Sequence, residues 1–135
     1  MTRGTCISVV CADMAIADSG IDLATADRSR IGVVIGTTGT GYTGGGGDPD
    51  RDRIIRNMPN SPASWLSITR KIAGPSFTVS TACSSGAYAL AAGHALVVGG
   101  VCDAVIAGAP DSSLNREDVE GFGALAELGP AVSVF

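Results

Sequence analysis

Aromatic and basic residues are scarce in this sequence. Aromatic residues make up 4% of the 135 residues and charged residues 16%, with nine Lys and Arg against 13 Asp and Glu for a formal net charge of −4. The basic residues are scattered and no aromatics interleave with them, which gives little support to nucleic-acid binding. Their one local group, Arg51, Arg53 and Arg56, either contacts a phosphate group or is the solvated start of a helix among neighbouring aspartates. We favour the second interpretation.

Closely paired cysteines and long apolar runs are also missing. The sequence has four cysteines, Cys6, Cys11, Cys83 and Cys102. They form no C-x-x-C pair and have no nearby histidine, which argues against a zinc site and against a disulfide framework. The apolar run after Arg3 is broken by Asp13 and is too short for a signal peptide, and no run reaches the ~18 residues of a membrane span. We therefore expect a cytoplasmic protein without a metal or other cofactor.

The residues that are present indicate one α/β domain. Hydrophobic residues, mainly Ala, Val and Ile, make up 45% of the chain, and a chain of this length can bury a substantial core. Periodicity and turn residues predict helices near 7–19, 64–72 and 83–98, strands at 31–35, 76–82 and 104–107, and a last helix capped by Asn115. Such alternation with nearly continuous apolar strands predicts a mostly parallel sheet covered on both faces.

Two of the predicted helices carry specific expectations about burial. In the first, apolar residues recur at i, i+3, i+4 and i+7, which predicts an amphipathic helix with that stripe against the core; they are Ile7, Val10, Cys11 and Met14. The segment 83–98 is rich in alanine and apolar on every side, which predicts a helix that is buried all round.

Cys83 lies where a predicted strand meets a predicted helix. The free N–H groups and positive dipole end of a helix start favour a thiolate, and thiols in that setting titrate well below the free value of ~8.5. A tight strand-to-helix turn also pushes its side chain outward. Ser84, Ser85 and Gly86 are small enough to admit an acyl group, and the N–H of Cys83 could form part of an oxyanion hole. The alternative is a buried structural thiol.

No residue of this chain is an obvious base for Cys83. His94, the single histidine, lies eleven residues further along the same predicted helix, or ~16 Å along its axis. It cannot be the base if that helix is intact, and we interpret it as a core or interface residue. We assign Cys6, Cys11 and Cys102 to packing, because none of them has a comparable setting.

A glycine-rich run offers a rival interpretation. Residues 39–44 match the pattern G-x-G-x-x-G and follow a predicted strand. A dinucleotide site also needs the third glycine in a helix start and an acidic residue about 20 positions on. Here further glycines and Asp48-Pro49 follow instead, and the expected acidic position falls near Ser64 in a predicted helix. We therefore favour a loop that binds no nucleotide.

The segment around Cys83 resembles a known signature. Val79-Ser80-Thr81-Ala82-Cys83-Ser84-Ser85-Gly86 resembles the active-site motif of β-ketoacyl synthases, the condensing enzymes of fatty-acid and polyketide assembly. Further segments at 32–37, 57–68, 72–76, 102–108 and 121–125 are similar to that family in the same order. The resemblance spans about residues 8–128 and favours the decarboxylating enzymes over biosynthetic thiolases.

The resemblance implies a fold, a reaction and partners. The fold is thiolase-like, with two similar halves whose sheets sandwich buried helices. Cys83 would accept an acyl group from an acyl carrier protein thioester. Two histidines of the second half would assist decarboxylation of a malonyl unit, whose carbanion attacks the acyl-enzyme. A homodimer would form by pairing the strand at about 76–81 across a two-fold axis.

Departures from the family pattern leave alternatives open. The family begins with a further strand and helix, its loop corresponding to 37–56 is longer, and Ala109-Pro110-Asp111 replaces its usual second Gly and following acid. Residues 129–135 form a divergent tail, and the C-terminal half with both histidines is missing. We thus expect residues 1–135 to be a partial N-terminal thiolase-like domain that does not complete condensation alone. The alternatives are an inactive remnant that dimerises or binds a partner, and a Cys-dependent acyltransferase or hydrolase with a partner's base.

Overall fold

The computed structural model describes residues 1–38, 58–112 and 116–125. Helices and strands alternate along these ranges: α1 Arg3–Ser19, β1 Ile31–Gly36, α2 Ser61–Arg70, β2 Ser76–Val79, α3 Ser85–Val98, β3 Ala104–Gly108 and α4 Arg116–Leu125. The alternation predicted from the sequence is therefore confirmed. The glycine-rich run at 39–44, the arginine group at 51–56, the cap Asn115 and the tail at 129–135 lie outside the described residues.

The three strands form a parallel sheet in the order β2-β1-β3. In the central strand, Val33 is in register with Ser76 of β2 and with Ile106 of β3. Every residue of β1 is buried, as expected for a central strand covered on both faces. The carboxyl ends of β1 and β2 lie at the same edge of the sheet, which is where the chain turns into α3.

One face of the sheet carries the core. Ile31, Val33 and Ile35 point from β1 towards α1 and α2, and Leu66 of α2 is fully buried among them. The remaining buried members of this cluster are Ala12, Ala63 and Ile72. Burying a side chain of this size contributes roughly 1.5–3 kcal/mol each, so this cluster fixes the positions of both helices on the sheet.

The opposite face of the sheet carries α3, which approaches closely because glycines meet there. A Cβ atom on Gly36 of β1 would be 2.2 Å from the Ser85 carbonyl oxygen. A Cβ atom on Gly93 of α3 would be 3.1 Å from the side chain of Ala107. Larger residues at these two positions would hold the helix further from the sheet.

The buried face of α1 was predicted wrongly. Val10 and Met14 are 58% and 66% exposed, whereas Gly4, Thr5, Ser8 and Ala12 are buried. These small residues let α1 pack closely on its neighbours. Their hydroxyls need no distant partner, since Ser8 donates to the Gly4 carbonyl at 3.1 Å and Thr5 shares a bond with Thr2 at 2.9 Å.

The three cysteines outside the Cys83 motif differ in their burial. Cys102 is 2% exposed and packs near Gly32, so its assignment to packing is confirmed. Cys6 and Cys11 are exposed residues of α1, so that assignment was wrong for both. All four cysteines of the chain are free.

The prediction that α3 is buried all round was also wrong. Its buried residues are Ser85, Ala89 and Gly93, which form one stripe against the sheet. Leu90 and Val98 are 59% and 72% exposed, because the sheet covers only one side of the helix in the described chain. His94 is exposed as well, which excludes the interpretation as a core histidine and leaves the interface interpretation untested.

Candidate active site

Cys83 lies in a short turn between β2 and α3, which we call the Cys83 turn (residues 80–84). The strand ends at Val79 and the helix begins at Ser85. Both elements are therefore shorter near the cysteine than predicted, since the strand was expected to reach residue 82 and the helix to begin at residue 83. Cys83 precedes the helix by two residues rather than starting it. Its side chain is exposed, which contradicts the alternative of a buried structural thiol.

The residue before the cysteine has an uncommon backbone conformation. Ala82 has φ of 52°, in the left-handed region that residues other than glycine seldom occupy. Such conformations cost of order 1–3 kcal/mol and persist where the surroundings enforce them. The left-handed conformation of Ala82 changes the direction of the chain after β2 and brings Cys83 to the start of α3.

Two serine hydroxyls close the turn. The hydroxyl of Ser85 accepts a hydrogen bond from the Thr81 N–H at 2.9 Å and donates to the Ala82 carbonyl at 2.7 Å. The hydroxyl of Ser84 donates to the Thr81 carbonyl at 2.6 Å and lies 3.1 Å from the Thr81 hydroxyl. The sequence predicted only that these serines are small, so their role in closing the turn was missed.

The backbone amides of the turn are unequally engaged. The N–H of Ser84 donates to the Thr81 carbonyl at 3.2 Å, and the N–H of Ser85 donates to the Ala82 carbonyl at 3.0 Å. Among the described residues, no backbone hydrogen bond uses the N–H of Cys83. This group lies beside the N-terminal end of α3, where the helix dipole favours negative charge.

The helix that follows is continuous. His94 lies within α3, about 13 Å along the helix axis from Ser85 at the ordinary rise per residue. This arrangement supports the prediction that His94 is not a base for Cys83.

An apolar cleft lies elsewhere on the molecule. It has a volume of about 250 Å³ and is lined by residues of α1 and the end of β3, among them Cys11, Ile106 and Pro110. Cys83 is not part of its lining. The exposed Cys83 thiol therefore lies outside this cleft.

The whole arrangement matches a known family. Residues 1–131 match the family model of the β-ketoacyl synthase N-terminal domain. The chain belongs to the β-ketoacyl synthase family. The family predicted from the motif around Cys83 is thereby confirmed.

Similar proteins include a polyketide synthase subunit and a 3-oxoacyl-[acyl-carrier-protein] synthase. The chain is 34% identical over 146 residues to the tetracenomycin polyketide synthase ketoacyl synthase alpha subunit of Streptomyces glaucescens, covering 91% of this chain and 33% of that protein. It is 33% identical over 133 residues to 3-oxoacyl-[acyl-carrier-protein] synthase 2 of Rhizobium meliloti strain 1021, covering 90% and 32%. The chain thus spans about a third of the length of the curated relatives it matches.

The fold agrees with solved ketosynthases. A ketosynthase bound to a hexaketide, solved with its type II polyketide synthase acyl-carrier protein, gives a TM-score of 0.81 at 22% identity, covering 95% of this chain and 35% of that one. At this identity the likeness is one of fold. The predicted thiolase-like α/β class is confirmed.

Proposed function

We propose that this chain supplies the acyl-accepting cysteine of a β-ketoacyl synthase. In this proposal Cys83 receives an acyl group for decarboxylative condensation with a malonyl-carrier protein in fatty-acid or polyketide synthesis. The observation that carries it is the exposed Cys83 thiol, which follows the left-handed Ala82 and precedes the N-terminus of α3. An exposed nucleophile on a tight strand-to-helix turn is suited to attack on a carbonyl.

The proposed step is an acyl transfer between two thiols. Cys83 loses its proton to solvent, and its sulfur attacks the thioester carbonyl of the acyl carrier protein. The negative charge that develops on the carbonyl oxygen faces the end of α3, whose dipole favours it. The N–H of Cys83, which makes no backbone hydrogen bond within the described ranges, can donate to this oxygen. When the intermediate collapses, the C–S bond to the carrier breaks, and the carrier thiolate takes up a proton from solvent.

Condensation requires groups beyond this cysteine. The sequence contains one histidine, and His94 lies far along α3 from the turn. The exposed side of α3, with Tyr88, Leu90 and Val98, is an apolar surface of the kind that packs against another protein segment. We expect the 135-residue chain to be acylated without forming a β-ketoacyl product, and we expect a second half to cover this side of α3.

Acylation can be tested directly on the purified chain. We would incubate it with an acyl carrier protein thioester and map the acyl mass by peptide mass spectrometry. The acyl group should appear on Cys83 and be lost in Cys83→Ala, while Cys11→Ala, which removes another exposed thiol, should behave as wild type. Equal acylation of Cys6, Cys11 and Cys83 would contradict the proposal.

We further propose a homodimer formed through β2. Among the strands that the structure describes, β2 has a neighbour on one side only. It bonds to β1 through Pro75 and Val79, whose carbonyls accept from Val33 and Thr37 at 2.8 and 3.0 Å. Since parallel strands pair through alternate residues, the amide of Thr78 should point away from β1 and be free to pair with a second copy.

Sedimentation would test this interface. Thr78→Pro removes an outward N–H without removing a bond to β1, a position where edge strands tolerate proline. We expect a dimer in the wild type and a weaker one in Thr78→Pro. A wild-type chain that stays monomeric at all concentrations would exclude the interface. A dimer that cannot be acylated would favour the alternative of a binding module.

No helix in the described ranges is long and apolar enough to cross a membrane, and a cytoplasmic location stays a prediction.

A further inference from the structure

The side chain of Ser85 is buried although it lies two residues from an exposed cysteine. Its residue is 4% exposed, and its hydroxyl makes two hydrogen bonds, one from the Thr81 N–H and one to the Ala82 carbonyl. These partners are the two residues immediately before Cys83. One hydroxyl therefore holds the chain on both sides of the left-handed Ala82.

The backbone of Ser85 is fixed independently of this hydroxyl. Ser85 is the first residue of α3, and its carbonyl lies so close to Gly36 that a Cβ atom there would be 2.2 Å away. The position of Ser85 is thus set by the helix and by β1. The two hydrogen bonds of its hydroxyl tie Thr81 and Ala82 to this fixed position.

The neighbouring serine provides a contrast within the same turn. The hydroxyl of Ser84 bonds only to Thr81, through its carbonyl and its hydroxyl, and the residue is exposed. Within the part of the chain that the structure describes, this hydroxyl makes no hydrogen bond to Ala82. The two serines therefore differ in whether their hydroxyl spans the strained residue.

We propose that Ser85 is a positioning residue for Cys83: its hydroxyl bridges Thr81 and Ala82 and so holds the thiol at the start of α3. This inference rests on the proposed function of Cys83. Without the hydroxyl, the Thr81 N–H loses its acceptor and the Ala82 carbonyl keeps only its bond from the Ser85 N–H, so the turn around Ala82 is held less tightly. The sulfur and the N–H of Cys83 then no longer face an entering thioester together, which lowers the rate of acylation rather than the affinity for the carrier.

The test compares Ser85→Ala, Ser85→Thr and Ser84→Ala in the full chain. Single-turnover acylation by an acyl carrier protein thioester gives the maximal rate and the half-saturating concentration for each. We expect Ser85→Ala to lower the maximal rate about tenfold or more, as small misplacements of reacting groups do, with the half-saturating concentration unchanged. Ser85→Thr, which keeps the hydroxyl, should restore the rate, and Ser84→Ala, which leaves the bridge between Thr81 and Ala82 in place, should lower the rate less than Ser85→Ala does.

A second measurement follows the turn itself. The Thr81 amide should be protected from hydrogen exchange in the wild type and in Ser84→Ala, and should lose protection in Ser85→Ala. Labelling of the buried Cys102 reports whether Ser85→Ala still folds. If it does not, an unprotected Thr81 amide in the wild type still overturns the proposal, and a protected one that Ser85→Thr preserves supports it.

The outcomes separate this inference from the proposed function. If wild-type Cys83 is acylated no faster than Cys6 and Cys11, the proposed function fails, and amide exchange alone decides whether Ser85 holds the turn. If wild-type Cys83 is acylated selectively and Ser85→Ala matches it in rate, the positioning role is wrong and the proposed function stands.

Discussion

Gly36 at the end of β1 lies directly against Ser85 at the start of α3, and a Cβ atom on Gly36 would be 2.2 Å from the Ser85 carbonyl oxygen and 2.9 Å from the Gly86 nitrogen. Real Cβ atoms do not approach backbone atoms this closely, and backbone cannot swing aside as a side chain can. The strand therefore sets how deeply the first turn of α3 sits on the sheet. Because Cys83 precedes that turn by two residues, the same contact sets how far the Cys83 thiol lies from the carboxyl ends of the strands.

Gly36→Ala is expected to destabilise the chain and displace the Cys83 turn. An added methyl in a filled position costs about 1–3 kcal/mol, and here the only relief is a shift of α3 away from the sheet. Urea unfolding measures the loss. Gly108→Ala is the matched control, since Gly108 also lies in a strand but its added Cβ would meet nothing within 4 Å. Equal losses in the free energy of unfolding of the two variants would show that the contact with Gly36 does not set the position of α3.

Ala82→Gly should leave stability unchanged or raise it slightly. Relief of the left-handed conformation is worth about 1–2 kcal/mol, while glycine loses about 0.5–1 kcal/mol through the entropy of the unfolded chain. Ala91→Gly, at an exposed position inside α3, has no strain to relieve and should cost about 1 kcal/mol. Urea unfolding of both variants compares them. A similar loss in each would mean that Ala82 is not left-handed in solution.

The elements around the site could be predicted from the sequence, but the turn between them could not. The continuous apolar run at 31–35 predicted a buried strand, and the alanine-rich segment ending at Val98 predicted a helix, because both signals are local. The reversal at Ala82 is different, since alanine carries no preference for positive φ. It is held by hydrogen bonds of the Ser85 hydroxyl to Thr81 and Ala82, which the presence of a serine at that position does not by itself predict.

The errors about burial have a common physical origin. Apolar periodicity identified Val10 and Met14 as core residues, but α1 packs through smaller ones such as Thr5 and Ala12, whose size allows closer contact. The hydroxyls of Thr5 and Ser8 bond within their own turns, so burying them costs little.

The exposed side of α3 shows a second limit of what the sequence can predict about burial. Its apolar residues indicate that a surface should be covered, but not that the covering segment belongs to the same 135 residues.

Asp13→Asn should lower stability at neutral pH and lose its effect in acid. Arg70 of α2 donates hydrogen bonds to Asp13 of α1, Nε lying 2.5 Å from Oδ1, and these bonds hold the pKa of the Asp13 carboxyl below its ordinary value although burial opposes the shift. A carboxyl whose pKa is lower in the folded state stabilises that state above the unfolded value of ~3.9. This stabilisation is lost as the pH falls through the folded pKa.

The expected size follows from exposure. The Asp13 and Arg70 side chains are 44% and 28% exposed, so solvent screens the pair, and we expect Asp13→Asn to cost about 0.5–1 kcal/mol at pH ~7. The difference from wild type in urea unfolding should shrink below pH ~4. Asp18→Asn is the control, because Asp18 lies in the last turn of α1, where the helix dipole disfavours a negative charge, and its removal should be neutral or slightly stabilising. A loss in Asp13→Asn that persists unchanged in acid would mean that packing of the side chain, rather than its charge, joins α1 to α2.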